Sequence, residues 1–478
     1  MHLQKQQRGS VLVWTIIILA ILSLLGAEVM HVVSAKYLNA MQSAVWQETL
    51  VGAESGIDLA IIELRKSLYP APNYAWETWT NTPGDGVTGY GLTTIPNAGL
   101  AGNPMTIEVS VDAPATLIDP TNGWQYYRIR TVGTLPLNGP VRANDNKQDT
   151  RLRRLSLRAD RFTNGVLVSH DLSAPQASRR TEAIVRPVSA FDAAIMAVGA
   201  LDLTNQNIVI DSYDSRSPAK STNGLYDVAK RQENGDIATD GNLIDAGNAY
   251  IYGDVATNAG TVSGAANITG IERTDFYQDP IPVGAPNWPS INPTPSSVNN
   301  SATLTASATK GSWSSRYILS TISTGGNQTL TLAGNPDGSP TYIEIYVTGN
   351  ISVAGSSQIV MQPGVKATIY FAANVDITGN GIVNSNNQPG DLQFYGIQPT
   401  SGSPHVNLGG NGQITAAIYA PGDDVAINGG GTNGHVFGSI VGKTVTMTGV
   451  TNLHYDEALG SGGMINNYKI VSWFEDTR

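Results

Sequence analysis

Five short stretches decide the fold: Glu344-Ile345-Tyr346-Val347, Thr368-Ile369-Tyr370-Phe371, Gln393-Phe394-Tyr395-Gly396, Ala417-Ile418-Tyr419-Ala420 and Ser439-Ile440-Val441-Gly442. From Ile345 through Ile369, Phe394 and Ile418 to Ile440 the steps are 24, 25, 24 and 22. A second series, Ile351-Ser352-Val353 and Val375-Asp376-Ile377, repeats the step of 24. Self-similarity at this period marks a repeat architecture. Gly-Asn and Gly-Gly turns with period-two apolar pairs exclude helical repeats, and the Leu and Asn pattern of a leucine-rich repeat is missing. The reading that remains is a parallel β-helix over 313–457. Each coil then holds three short strands, with alternate side chains inward and small residues at the corners. Ile345, Ile369, Phe394, Ile418 and Ile440 are expected to form one internal column.

Outward from these repeats the texture changes in both directions. Residues 279–312 are rich in Pro, Asn and Ser and read as an insertion over the surface. Before them, 189–278 reads as a first solenoid part, from Ala194-Ile195-Met196-Ala197 and again from Tyr250-Ile251-Tyr252. Residues 69–188 read as a small antiparallel β region, with strands at Met105–Val111, Tyr126–Val132 and Leu152–Ala159. The last segment, 458–478, is expected to cap the open edge of the solenoid. The fold class is thus mainly β behind one long N-terminal helix.

That helix is expected from about Ser10 to Leu68. Ser10 to Ala27 carries no charge, and Val11, Leu12, Trp14, Ile17 and Leu24 belong to its apolar surface. Eighteen such residues reach roughly 27 Å, close to one bilayer core. Lys5 and Arg8 precede them, which places the N-terminus in the cytoplasm. No proline occurs between Glu28 and Leu68, and Ala53, Ile57, Ile61, Leu64 and Leu68 make a helical stripe. Gly52 and Gly56 read as weak points in it. Ile57, Ile61 and Leu64 are expected to pack on the β region. Three readings of the segment stand open: a cleaved secretory signal, a plain anchor, and a prepilin cut after Gly9 with the helix kept.

Arg8-Gly9-Ser10-Val11-Leu12 together with Ala53-Glu54-Ser55-Gly56 resembles the N-terminal region of minor pilins of the PilX kind, over roughly the first 70 residues. The resemblance implies a leader over 1–9, processing between Gly9 and Ser10, and a low-abundance subunit of a type IV pilus or related secretion filament. It implies other pilin subunits and the inner-membrane pilus assembly machinery as partners, with later exposure in the periplasm, at the cell surface or in the pilus. Two positions depart from the pattern. Trp14 stands at the fifth mature position, where most major pilins carry Glu, and Ser10 replaces the usual Phe or Met. Both fit a tip or initiating subunit better than a shaft subunit. Ala417–Pro421, Gly438–Lys443 and His454–Leu459 also resemble a Gly-rich C-terminal domain of large PilX-type proteins, over about 340–478.

Composition narrows the function. The chain has 478 residues, 51 Gly, 14% charged residues and no Cys. Disulfides and thiolate metal sites are excluded. The net charge of −10 argues against nucleic acid. The basic stretch Arg142–Arg186, with Arg151, Arg153, Arg154, Arg158 and Arg161, reads as the solvated face of a strand. None of the six His has zinc-site spacing, and no nucleophile elbow or P-loop occurs. Asp423-Asp424 reads as a turn, with calcium as the minority alternative. His454 near Asp456 and Glu457 reads as the end of the solenoid, with acid–base work as the alternative. A polysaccharide lyase needs a basic residue for the enolate, and no Arg lies between Tyr317 and Thr477. The expectation is a non-enzymatic surface protein without metal or cofactor, acting in filament initiation or at the tip, or in adhesion to a surface ligand or glycan. A membrane-anchored β-helix adhesin outside any filament is the alternative, and a polysaccharide-active β-helix enzyme a weaker one.

Overall fold

A computed structural model describes residues 8–80, 89–95, 104–136, 161–163, 166–169, 176–204, 208–264, 267–378, 380–399, 402, 404–410, 413–429, 434–449 and 451–476. The expected strand at Leu152–Ala159 and, of the basic Arg142–Arg186 stretch, Arg142, Arg151, Arg153, Arg154 and Arg158 lie outside these residues. The protein is mainly β, with one long apolar N-terminal helix and sheets that include parallel strands.

The helix runs unbroken from Arg8 to Lys66. From Leu12 its first half is exposed, while its second half lies on an antiparallel sheet. Ile57 and Leu64 are buried there and Ile61 is half-buried, but the closest approach is made by Thr49, Gly52, Ala53, Gly56 and Ala60. The two glycines expected to weaken the helix are where the sheet comes nearest. A Cβ on Gly56 would meet Thr131, Ile107 and Val109 at 2.9–3.0 Å, and one on Gly52 would meet Met105 Sδ at 2.3 Å. From the sheet side, Gly133 offers the same bareness to the helix backbone. Thr131 Oγ1 donates to the Ala53 carbonyl at 2.6 Å in this buried interface.

The sheet holds five strands in the order Gly89–Ile95, Met105–Asp112, Tyr127–Pro136, Gln176–Ser189 and Ile465–Asp476. The last is a correction. Residues 458–478 were expected to cap the parallel stack, yet only a short 3-10 turn, Glu457–Ser461, stays with it. The chain then pairs antiparallel with Gln176–Ser189, Tyr468 opposite Pro187 and Trp473 opposite Ala183. Without that strand the long Gln176–Ser189 segment would present a row of unpaired backbone groups. Tyr468 packs edge-on to Tyr127, and Glu475 pairs with Arg179. Everything between Ser189 and Ile465 is therefore one excursion out of this sheet.

Within the excursion the strands pair in parallel, and one ladder shows the order. Tyr317, Ile345, Ile369, Phe394, Ile418 and Ile440 are successive partners in register. Ile440 then pairs with Ile195, and the ladder continues through Ile237 and Val255 to Glu272. The chain thus enters in the middle of the ladder and runs to one end at Glu272. It returns to the far end near Tyr317 and descends until it meets its own starting level. Val283 bridges Ile397, Asn292 bridges Tyr317 and Val298 bridges Ile322, which traces the return. The expected insertion over 279–312 does not simply lie over the surface: Ile281 and Val283 are buried, and Val283 bridges Ile397. From Asn292 it joins the ladders, and Ala302–Thr305 pairs in parallel with Thr329–Ala333.

Candidate functional site

The membrane-facing residues named from the sequence lie where the helix is bare: Leu12, Trp14, Ile17 and Leu24 are all exposed. The backbone of Gly9, Ser10 and Val11 is helical, and their side chains lie outside the described residues. The apolar window near the helix start has a mean hydropathy of 2.4 and no buried part, long and apolar enough to cross a membrane. The five residues Ile345, Ile369, Phe394, Ile418 and Ile440 stand in one column, each 3% exposed or less.

Helix, sheet and parallel stack meet at one polar junction. Arg65 Nη2 donates to the Asp279 carbonyl at 2.6 Å and sits 3.1 Å from its carboxylate. Tyr69 donates to the same carboxylate at 2.6 Å. Burial first, and then this bond, hold the Tyr69 hydroxyl above the usual phenol range. Two residues on, Ile281 N donates to Asn466 Oδ1 and its carbonyl accepts from Tyr419. The helix end, the returning segment, the C-terminal strand and the stack are tied through three residues of chain, Asp279 to Ile281.

Sequence reasoning missed the partner of His454. Its Nδ1 lies 2.6 Å from Asp211 Oδ1, on a strand 243 positions earlier. Asp456 and Glu457, the neighbours considered from the sequence, serve elsewhere. Asp456 accepts from Ser215 N and Ala458 N, and Glu457 pairs with Lys220 at 2.7 Å. His454 Nε2 lies 3.0 Å from His435 Nδ1, and Tyr226 stacks on the His454 ring while donating to Asp211 Oδ2. Burial and the neighbouring His454 push His435 below the ordinary imidazole range. The cluster joins the end of the C-terminal run to the first strand level of the N-terminal run. Among the described residues no group of three or more His, Cys, Asp and Glu could hold a metal ion.

Asp423 also departs from expectation. It is not on an exposed turn but at an irregularity in the strand Ile414–Gly429, 1% exposed, with neither carboxylate oxygen hydrogen-bonded. Burial, and then the adjacent Asp424, raise it to about 7, against a smaller pull from Lys443. A carboxyl raised in the folded state favours folding while protonated. That contribution is complete below the ordinary carboxyl pKa and is lost as pH rises through about 7. The wild type is expected to lose up to ~4 kcal/mol between about pH 4 and pH 8. Asp423→Asn should flatten this part of the pH–stability curve in urea titrations, and an unchanged slope would refute the assignment.

One outward column of the stack is polar except at Ala426. Ser323, Ser352, Asp376, Asn407, Ala426 and Thr446 are successive register partners. The column crosses into the other run at Asp202, then Asp245 and Ser263. The residues flanking each position point inward and are buried through most of its length.

Residues 298–461 match the family model of a domain of unknown function, DUF7305. The match begins where Val298 joins the ladders and ends with the 3-10 turn Glu457–Ser461, so it covers the C-terminal run and not the run from Ile195 to Glu272. No curated protein matches the chain. No solved structure matches it either.

Proposed function

We propose that this chain is a prepilin-like minor subunit of a type IV pilus or related filament, whose pilin-like head carries an inserted β-helix. On this reading the stem crosses the inner membrane with its N-terminus in the cytoplasm. The head and solenoid lie outside, for filament initiation, tip display or adhesion. The role is structural rather than enzymatic.

The observation that carries the proposal is the division of labour along one helix. The first half is apolar and bare, and the second presents Gly52, Gly56 and Ala60 to an antiparallel sheet. A signal peptide has no need of the second half, and a simple anchor has no need of its close packing. The β-helix reading rests on strands of three ladders recurring in chain order with shared register. Trp14 in place of an acidic residue supports a tip or initiating position, where no subunit ahead requires pairing.

Processing tests this reading. The peptidase needs close backbone access at the membrane face, which a Gly provides because it lacks a Cβ. In cells carrying a prepilin peptidase, Gly9→Val is expected to remain in the inner membrane and to vanish from the sheared filament fraction. Equal recovery of wild type and variant in that fraction would refute the filament role and favour the anchored adhesin.

A further inference from the structure

We propose that residues 214–236 form a strap across the seam between the two runs, latched by the His435–His454 pair and released in acid. This goes beyond the function proposed above and does not depend on the filament role.

The strap is the long connection between the strands Val209–Tyr213 and Ile237–Thr239. It leaves the N-terminal run and is held by the C-terminal one. Arg216 donates to Ser461 Oγ, Lys220 pairs with Glu457 at 2.7 Å, and Gln388 Nε2 donates to the Gly224 carbonyl at 3.3 Å. At its centre Tyr226 stacks on His454 with ring centroids 3.8 Å apart, and it packs against Phe437 and Tyr213. Beneath it His454 and Asp211 are 2% and 0% exposed, and His435 is half-buried.

The bonds fix the protons. The Asp211 carboxylate can only accept, so His454 Nδ1 carries a hydrogen and its Nε2 is a lone pair. That lone pair accepts from His435 Nδ1 at 3.0 Å, and the other nitrogen of His435 is left as the base. One proton on that nitrogen keeps every bond but places a charge in a half-buried position. A second, on His454 Nε2, would set two N–H groups against each other across the same 3.0 Å.

The surroundings do little to help a proton on His435. Burial first, and then His454, hold it below the ordinary imidazole range, against a smaller pull from Asp211. Asp211 already serves His454 and Tyr226. Asp456 accepts from Ser215 N and Ala458 N, and Glu457 is taken by Lys220. The remaining titratable or charged groups packed around the pair are Tyr213, Tyr226 and Arg231, the last lying over Tyr252. A histidine held low while latched takes a proton more readily once released. The latch is therefore intact above the ordinary imidazole pKa and weakens as pH falls through it.

Hydrogen exchange on the full chain in detergent, read by mass spectrometry and corrected for the intrinsic rate at each pH, tests the strap directly. From about pH 7.5 to about pH 5, either side of the free imidazole value, amides of residues 214–236 should exchange at least about fivefold faster. Those of the strand Val365–Phe371 should keep their protection. The midpoint should lie between about 4.5 and about 6.5, below free imidazole and above free carboxylates. It is read on the wild type and needs no variant. His435→Gln keeps a donor toward His454 without a base and should hold the strap equally at both pH values. Asp423→Asn should leave the response unchanged, because Asp423 acts on the whole fold and in the opposite sense. A strap equally protected at both pH values, a midpoint in the carboxylate range, or equal loss of protection in Val365–Phe371 would each overturn the proposal. So would equal acid release in His435→Gln, or loss of the response in Asp423→Asn.

Discussion

Ile418→Asp is expected to unfold the parallel stack. Ile418 is 1% exposed and lies between Phe394 and Ile440 in the internal column. A carboxylate there would be surrounded by Phe, Ile and Val side chains with no partner. The cost is on the order of 4–5 kcal/mol, from lost packing together with an unpaired buried charge. Because each level of a stacked array is supported only by its neighbours, the loss should spread to both adjacent levels. Chemical denaturation followed by circular dichroism would read it, with Ser352→Asp on the outward column as the control. A stable Ile418→Asp protein would mean that this column is not the core.

The second large effect concerns the helix. Gly133→Val should lift the stem from its sheet. A Cβ at Gly133 would stand 2.2 Å from the Thr49 carbonyl oxygen and 2.8 Å from Ala53 N, both backbone atoms that cannot rotate away. Overpacking of this kind costs about 1–3 kcal/mol, and here it falls on an interface that depends on small residues throughout. Limited proteolysis should then cut the helix between Val45 and Leu64, a region whose packing should protect it in the wild type. At Gly325 a Cβ meets nothing within 4 Å, so Gly325→Ala should leave the pattern unchanged. Equal protection in Gly133→Val would contradict the packing described.

What could be read from the sequence was local and periodic. The stem could be read from its apolar run, its 3.6-residue stripe and its lack of proline. The C-terminal run could be read because its steps stay near 24. The N-terminal run was harder. Its levels fall at 195, 237, 255 and 272, and the first step contains the loop between Tyr213 and Ile237. Contacts between distant segments left no local trace. Nothing near Ile440 signals Ile195, and nothing near His454 signals Asp211. The C-terminal strand was misplaced for the same reason: its partner, Gln176–Ser189, precedes the entire excursion. Gly52 and Gly56 were misread because propensity counts a glycine as a cost, whereas close packing makes its missing side chain a requirement.

The account turns on the N-terminus of the mature protein. Intact mass, with N-terminal sequencing, on protein purified from cells that carry a prepilin peptidase tests it most directly. The account predicts a chain that begins at Ser10 and keeps the whole stem. A chain that begins near Glu28 would show that the apolar half of the helix is removed as a signal peptide, and the filament reading would fall. A chain that still begins at Met1 would leave the molecule as an anchored adhesin and contradict the account equally.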